Sequence, residues 1–189
     1  HICPVRYATM AHAGYFPISE LKTLRKLGTR LQGHPERLKL PGVETTSGPL
    51  GSGLGQACGY AYASKMDASL VPAQAKFRVY CICSDGEHDS GNHWEAVFFA
   101  GKNKLSNLTV IVDRNNIQID GHTEEVMPLE PLEEKYKSFN WHTLHIDGHN
   151  IEEIIDALNH AKAVYEKPTV IIAHTIPGKG ISFMENLPG

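Results

Sequence analysis

Short apolar runs alternate with amphipathic segments through the second half of the chain, and this alternation limits the folds that the sequence can adopt. The apolar runs predict strands at 77–84, 108–113, 141–147 and 168–174. The segments between them predict helices at 91–105, 129–140 and 150–167. Strand–helix alternation is typical of right-handed βαβ crossovers. We therefore predict an α/β fold, a parallel twisted sheet with helices on both faces.

Four further expectations concern the organisation of the chain. The first strand, FRVYCICS (77–84), is apolar enough to be buried on both faces. Upstream, ISELKTLRKLG (18–28) and LGSGLGQACGYAYASKMDASL (50–70) are expected to be helical. A chain of 189 residues with 41% hydrophobic content is expected to form a single domain over 1–189. It opens on His1 without an initiator Met, so we expect a fragment, truncated at the N-terminus and possibly at the C-terminus.

The net charge, the length of the apolar runs and the cysteines indicate which partners and which cellular compartment to expect. Eighteen basic and 21 acidic residues give a net charge of −3, which offers no field toward nucleic acid or an anionic membrane. No apolar stretch reaches the roughly 18 residues of a membrane span, and HICPVRYATM lacks a signal-peptide layout. The four cysteines are scattered, and the close pair, Cys81 and Cys83, lies in a strand whose neighbouring side chains alternate in direction. We expect no disulfide framework, no zinc site and a reducing, cytoplasmic setting.

Polar side chains follow two of the predicted strands. Asp85 comes directly after the first strand and Asn115 after the second. Ligands of open parallel sheets lie at the carboxyl ends of the strands, and a carboxylate with an amide oxygen suits Mg²⁺. Gly86 would let a phosphate approach the backbone. Asp85-Gly86 and Asn115-Asn116 are also typical of tight turns, which general turn chemistry favours, and the spacing alone does not decide between the two interpretations.

A family resemblance bears on that choice. SDGEHDSGNHWEA (84–96) followed by VDRNNIQIDG (112–121) resembles the thiamine-diphosphate signature of transketolases. Further segments resemble the same family in the same order. They are LGTRLQGHPE (27–36), PGVETTSGPLGSGLGQACGYAYA (41–63), DGHNIEEIIDAL (147–158) and KPTVIIAHTIPGKGISFMEN (167–186). The resemblance covers essentially the whole chain.

The resemblance implies a thiamine diphosphate site with a divalent metal, Mg²⁺ or another cation such as Ca²⁺ or Mn²⁺. The implied metal ligands are Asp85, Asn115 and the backbone carbonyl of Ile117. The implied cofactor contacts are Gly86 at the diphosphate, Gly48-Pro49-Leu50 at the aminopyrimidine, and His1, Asn115 and His174. A metal and backbone N–H groups explain how a nearly neutral chain could hold two phosphates.

Two of the eleven histidines carry catalytic expectations from the resemblance. His34, in GHPE, matches a histidine that contacts the sugar-phosphate donor near its reacting carbonyl, and His174 lies where relatives face cofactor and substrate. The others beyond His1 are expected to be surface or turn residues. They are His12, His88, His93, His122, His142, His145, His149 and His160.

Two positions concern the contact between subunits. Glu95 matches a family glutamate beneath the cofactor at that contact, although it could equally be a solvated helix residue. Ser90 stands where relatives often carry an acidic residue, so any carboxylate network between active sites would be weaker.

The implied reaction is reversible transfer of a two-carbon ketol unit from a ketose phosphate to an aldose phosphate. No second, pyrimidine-binding domain is present, so we expect this chain to need that domain from another chain or segment, in a homo- or hetero-oligomer. The sequence fits a piece of a long transketolase or the amino-terminal subunit of a split one, with the ending HTIPGKGISFMEN favouring the split form. The alternatives are a non-catalytic paralogue and 1-deoxy-D-xylulose-5-phosphate synthase.

Overall fold

The computed structural model describes residues 2–70, 77–119 and 121–185, and it divides the chain into two compact units. The first unit is His1–Pro49 and the second is Leu50–Gly189. The second unit contains all the predicted strands.

The first unit is built from one helix and irregular segments around a small apolar core. Helix α1 (Cys3–His12) is followed by a 3₁₀ helix, Ile18–Thr23. The helix predicted at 18–28 is therefore wrong beyond Thr23, because Arg25 and Gly28 adopt positive φ angles of 60° and 77° that end a right-handed helix. The core consists of Tyr7, Met10, Ala11, Phe16, Leu31, Leu40 and Val43.

The second unit contains a four-stranded parallel sheet, which confirms the predicted α/β class. Its strands are β1 (Val79–Ser84), β2 (Leu108–Arg114), β5 (His142–Asp147) and β6 (Thr169–His174), and a separate two-residue hairpin is formed by β3 (Ile117–Gln118) and β4 (Gly121–His122). Its helices are α2 (Ser52–Leu70), α3 (Gly91–Lys102), α4 (Thr123–Val126), α5 (Leu132–Ser138) and α6 (Ile151–Ala163). The order across the sheet is β1-β2-β6-β5.

Helices cover both faces of this sheet, as predicted. On one face, alternate residues such as Cys83, Val112 and Ile172 align across β1, β2 and β6 and form a core with α2, α3 and α5. On the other face, His142 of β5 lies against His160 of α6, with ring centroids 5.0 Å apart.

The first strand differs from its prediction. Tyr80 is 45% exposed and Ile82 is 55% exposed, so β1 is buried on one face only. The expectation of burial on both faces is wrong because β1 lies at the edge of the sheet, beyond the cover of α6, which packs near β5. An apolar run alone does not reveal a strand's place in the sheet.

Strand register brings the polar termini to one edge. Ser84 lies opposite Asp113, and Arg114 lies opposite His174, which in turn lies opposite Asp147. The residues that follow β1 and β2 therefore leave the sheet side by side, which positions the candidate site.

Candidate functional site

Asp85 is the centre of the polar cluster at this edge. It follows β1 directly, is fully buried, and begins the 3₁₀ turn Gly86–Asp89. Its Oδ1 accepts from the Gly86 N–H at 2.8 Å, and its Oδ2 accepts from the Asn116 N–H at 2.7 Å and from Arg114 at 3.2 Å. Burial raises the pKa of Asp85, while these three donors oppose the rise. A carboxylate has about four lone-pair positions, so these three donors leave room for a further ligand.

Arg114 shares the burial of Asp85 and was not predicted as a site residue. Its guanidinium donates to Asp85 at 3.2 Å, to Thr123 Oγ1 at 2.7 Å, and to Glu124 and Glu130 at 3.0 Å each. The buried positive charge therefore has several acidic partners, and Arg114 does not depend on Asp85 alone.

Asn115 follows β2 directly, at the same end of the sheet as Asp85. Its Oδ1 accepts from the Ile117 N–H at 2.9 Å, and its Nδ2 donates to Asp113 at 3.1 Å. The amide orientation is thus set by two partners, and its oxygen keeps a lone pair. Asp113 also accepts from the Thr175 hydroxyl. The structure brings Asp85, Asn115 and Ile117 to one edge of the sheet.

Gly86 lies under the side chain of Gln118. A Cβ at position 86 would stand 2.7 Å from Gln118 Cγ, so only glycine fits this close approach. Gln118 Oε1 is buried and has no hydrogen-bond partner within the described protein. A buried amide oxygen without a partner indicates that the site accommodates a further polar group.

The donor set fits a hard divalent cation. A carboxylate oxygen from Asp85, an amide oxygen from Asn115 and a backbone carbonyl from Ile117 are the ligand types that Mg²⁺ prefers. The glycine at position 86 agrees with close approach of a phosphate to the backbone, whereas the orphaned acceptor oxygen of Gln118 agrees with a cation or a hydrogen-bond donor.

Leu50 is brought to the same edge by a link between α2 and the turn after β1. The Gly51 N–H donates to Glu87 at 3.1 Å, and the other oxygen of Glu87 accepts from the Ser84 N–H at 2.8 Å. Glu87 therefore ties the segment after Leu50 to the residue before Asp85. Glu87 was not predicted as a site residue, and the only signal for it in the sequence is its place next to Asp85-Gly86.

His34, Gly48 and Pro49 belong to the first unit. Gly48 has φ of 140°, and a Cβ there would stand 3.1 Å from the ring of His34. The Ser47 N–H donates to the Pro35 carbonyl at 3.1 Å, which holds the two segments together. The structure thus joins GHPE and the Gly48 loop, and it leaves the His34 ring exposed.

His174 ends β6 at the same edge of the sheet as Asp85. Its Nε2 lies 3.1 Å from Nδ1 of His145, and the two rings stack. Burial, followed by the charges of His145 and Arg114, lowers the pKa of His174. His174 is therefore a neutral, partly exposed imidazole within reach of solvent.

The structure gives less information about three other predicted positions. His1 lies outside the described residues. Ser90 is the residue before α3, and Glu95 is exposed on that helix, which is compatible with either interpretation of it.

The structure corrects the prediction for two histidines. His88 and His93 were expected at the surface or in turns, but both are buried, with Nε2 atoms 2.8 Å and 2.9 Å from the Tyr136 hydroxyl. Burial lowers the pKa of His88 to about 4 and that of His93 to about 2. Aromatic packing against Trp94 accompanies this burial. Polar residue type alone gave no sign that α3 would turn His93 toward the sheet.

We predict that these two histidines make the fold acid-sensitive. Below their ordinary pKa of 6.5 the unfolded chain binds protons that the folded chain refuses, so stability is full above pH 6.5 and falls as pH decreases. The loss for His88 alone approaches about 3 kcal/mol near its folded pKa. Urea unfolding between pH about 7 and about 5, with EDTA present, should show a smaller slope in His93→Gln, with a difference that grows toward about 1.4 kcal/mol per pH unit near pH about 5.

The control for this measurement is His122→Gln, because His122 is exposed. That variant should keep the wild-type pH dependence. Equal slopes in wild type and His93→Gln would contradict the assignment of acid sensitivity to the buried pair.

One premise about the cysteines is also wrong, namely that the side chains of Cys81 and Cys83 point in different directions. Cys81 and Cys83 are two residues apart, so they share one face of β1, and their Sγ atoms lie 3.6 Å apart. The alternation of direction applies to adjacent residues and not to this pair. Both thiols are free, as are those of Cys3 and Cys58.

These observations define a class: a parallel α/β protein with a polar site for a charged ligand at the carboxyl ends of its strands. The model of the family described as "Transketolase, thiamine diphosphate binding domain" matches residues 1–187. The chain belongs to that family.

Named relatives agree with this assignment. The chain is 45% identical to the 6-deoxy-6-sulfo-D-fructose transketolase subunit SqwG of Clostridium sp. (strain MSTE9), over 98% of this chain and 65% of the relative. It is 37% identical to one of the subunits of the apulose-4-phosphate transketolase of Phocaeicola vulgatus, over 99% of this chain and 64% of the relative. The chain thus spans just under two thirds of the length of these two relatives.

A solved structure gives the same result. Transketolase from Leishmania mexicana superposes with a TM-score of 0.89 at 37% identity, over 94% of this chain and 28% of that chain. The predicted thiamine-diphosphate-binding fold is confirmed. Within residues 2–70, 77–119 and 121–185, no helix combines the length and apolar character needed to cross a bilayer.

Proposed function

We propose that this chain is the amino-terminal, diphosphate-binding part of a transketolase and that its Asp85 edge holds the metal and diphosphate of thiamine diphosphate. The observation that carries the proposal is the fully buried Asp85 carboxylate, which follows β1 at the same end of the sheet where Asn115 follows the adjacent parallel strand β2. Asp85, Asn115 and the carbonyl of Ile117 would hold Mg²⁺, or Ca²⁺ or Mn²⁺ in its place.

The other proposed cofactor contacts are those that the family resemblance implies. Gly86 would face the diphosphate, and Leu50 would pack beside the aminopyrimidine with Gly48 and Pro49 presenting backbone to it. His1 and His174 complete the proposed set.

The proposed reaction is reversible transfer of a two-carbon ketol unit from a ketose phosphate to an aldose phosphate. When bound, the cofactor supplies the carbon nucleophile, and the protein positions it and excludes water. His34 is proposed to donate a hydrogen bond to the donor near its reacting carbonyl. His174, neutral and partly exposed, is suited to accept or return a proton there.

The donor is a separate question within this proposal. Relatives at 45% and 37% identity are named for 6-deoxy-6-sulfo-D-fructose and apulose 4-phosphate. An assay of the assembled enzyme should therefore offer both of these together with xylulose 5-phosphate. The donor with the highest kcat/KM identifies the substrate class.

We further propose a partner that carries the pyrimidine-binding domain, as a separate subunit or as another segment, in a homo- or hetero-oligomer. Two relatives are named as subunits, which supports the split form. A cytoplasmic location stays a prediction, and the free cysteines of the chain agree with a reducing compartment. The single-domain interpretation of 1–189 is likewise retained as a proposal.

One experiment separates the proposal from a non-catalytic paralogue. Thermal unfolding of the full chain is compared with and without thiamine diphosphate plus Mg²⁺. Binding at a concentration about 100-fold above Kd stabilises a fold by about 2.7 kcal/mol, which raises Tm by roughly 5–10 °C for a chain of this size. An unchanged Tm, with no heat of binding in calorimetry, would favour a paralogue that has lost the cofactor. A 1-deoxy-D-xylulose-5-phosphate synthase would bind the cofactor but act on pyruvate instead.

We predict that His34→Ala lowers kcat/KM for the ketose donor about 100-fold in the assembled enzyme. The reason is that His34 lies on Gly48 with its ring exposed, where it can meet substrate without holding the cofactor. Steady-state kinetics measures this loss, and cofactor titration should show an affinity for thiamine diphosphate near the wild-type value.

The matched control is His12→Ala, an exposed histidine of the same unit. It should keep wild-type kinetics. If His34→Ala behaved like this control, or lost cofactor affinity in proportion to activity, the donor role would be withdrawn.

A further inference from the structure

Three potential metal ligands converge beneath the turn that carries Asp85. The Cys83 sulfur, a carboxylate oxygen of Glu87 and a ring nitrogen of His93 lie within 4.8 Å of one another. Cys83 and His93 are buried, and Glu87 is half-buried. We refer to these three residues as the Cys83 cluster. Its sulfur and nitrogen donors differ from the all-oxygen set at Asp85.

His93 supplies an independent sign of a missing ligand. Its side chain is 0% exposed, and its Nδ1 has no hydrogen-bond partner within the described protein. Its Nε2 is already occupied by the Tyr136 hydroxyl at 2.9 Å. A buried nitrogen with a free lone pair is rare because it loses its bond to water without replacement. A hydrogen bond at the other ring nitrogen is the usual orientation device of a metal-binding histidine.

A second thiol lies beside Cys83, although its sulfur is outside the three atoms that already converge, so it would have to rotate toward Glu87 and His93 to complete a tetrahedral site. Cys81 Sγ lies 3.6 Å from Cys83 Sγ. Two thiolates on one tetrahedral zinc ion, with Zn–S bonds of about 2.3 Å, stand about 3.8 Å apart. The two sulfur atoms therefore already have nearly the separation that a shared ion requires.

Glu87 can contribute although both of its oxygens are in use. One accepts from the Gly51 N–H and the other from the Ser84 N–H. Each carboxylate oxygen has a second lone pair, so metal ligation does not require breaking either bond. An ion bound here would fix the carboxylate that ties Gly51 to Ser84, next to Asp85.

We propose that Cys83, Glu87 and His93 bind a structural Zn²⁺ ion, with Cys81 as the fourth ligand. Thiolate and imidazole donors select zinc over the harder magnesium ion. Four protein ligands leave no open position, so the ion would stabilise the turn instead of taking part in chemistry. This site is distinct from the one at Asp85 and does not depend on the proposed function.

The test is a titration of the full, reduced, metal-free chain with Co²⁺ and then Zn²⁺, with Mg²⁺ in excess to occupy oxygen sites. Bound Co²⁺ should give a thiolate charge-transfer band and the intense visible bands of a tetrahedral ion, and Zn²⁺ should abolish both at one equivalent. Cys83→Ser should weaken the charge-transfer band, because one thiolate of the two remains, and lower Zn²⁺ affinity about 100-fold or more. Cys3→Ser, which changes a thiol of the other unit, should leave both unchanged.

Other outcomes would overturn the proposal. Absence of the thiolate band in the wild-type chain does so without any variant, which covers the case that Cys83→Ser fails to fold. Zinc binding that persists in Cys83→Ser but disappears in His145→Ala would place the ion at the exposed His145–His174 pair instead. Glu87→Gln, which keeps its volume, should weaken zinc binding, and full affinity in that variant would also contradict the proposed ligand set.

Discussion

Asp85→Asn is expected to abolish Mg²⁺-dependent binding of thiamine diphosphate, with a loss of affinity of at least about 100-fold. Asp85 is the only charged protein ligand in the proposed set, while the diphosphate keeps its negative charge. The substitution preserves the shape of the side chain and can still accept from the Gly86 N–H. Isothermal titration calorimetry with Mg²⁺ and cofactor measures the change directly.

A matched control separates metal ligation from the Arg114 network. Asp85 and Glu124 both accept from Arg114, at 3.2 Å and 3.0 Å, but only Asp85 is a proposed ligand. Glu124→Gln should therefore disturb the same guanidinium and leave cofactor affinity near the wild-type value. Removing one partner of a buried ion pair costs about 3–5 kcal/mol, so circular dichroism must show that Asp85→Asn is folded.

A folded Asp85→Asn chain with unchanged cofactor affinity would contradict the assignment of Asp85 as a metal ligand, because the metal would then be held elsewhere. If Asp85→Asn does not fold, Asn115→Ala takes its place, because Asn115 has no bond to Arg114 in the described network. Unchanged cofactor binding in that variant would exclude Asn115 as a metal ligand and would contradict the proposed metal site at Asp85.

The general layout of the site was predictable from the sequence because it depends on chain-local features. Asp85 and Asn115 each follow an apolar run, and parallel connectivity alone brings such residues to a common edge. The four strands of the sheet were predicted to within two residues at their ends, since the apolar runs that define them are bounded by polar residues, whereas the short hairpin strands β3 and β4 were not predicted.

The side chains around the site were not predictable in the same way. Arg114, Gln118 and Glu87 have their roles through contacts between elements that no short motif encodes. His93 is polar by type, yet it lies on the buried face of α3. Its burial follows from helix phase relative to the sheet, which depends on the tertiary fold.

The outer surface of α2 and α3 is a candidate contact surface for the proposed partner. Helix α2 buries Leu54, Ala57 and Ala61 against the core, and its other side exposes large apolar side chains, among them Tyr60 and Tyr62. There, Tyr62 is in edge contact with Phe99 of α3, which is 40% exposed. Large apolar side chains exposed together are typical of a protein–protein contact surface. We infer that this surface receives the pyrimidine-binding partner.

The chain alone is expected to show no transketolase activity and to gain it only with that partner. The proposed residues can hold the diphosphate end of the cofactor, but activation of its aminopyrimidine needs an acidic group that we assign to the second domain. Xylulose 5-phosphate and ribose 5-phosphate are supplied to the purified chain, first alone and then with a candidate partner. Phe99→Asp should block the gain by placing a charge in the interface.

Tyr165→Asp is the matched control, because Tyr165 is 79% exposed, follows α6 and belongs to neither α2 nor α3. It should keep partner-dependent activity, whereas Phe99→Asp should keep only the fold and the cofactor affinity of the isolated chain. If Phe99→Asp retained full partner-dependent activity, the partner would bind elsewhere. Robust turnover by the chain alone, with host transketolase excluded, would mean that these residues themselves activate the cofactor, and the proposed division of labour between the domains would be wrong.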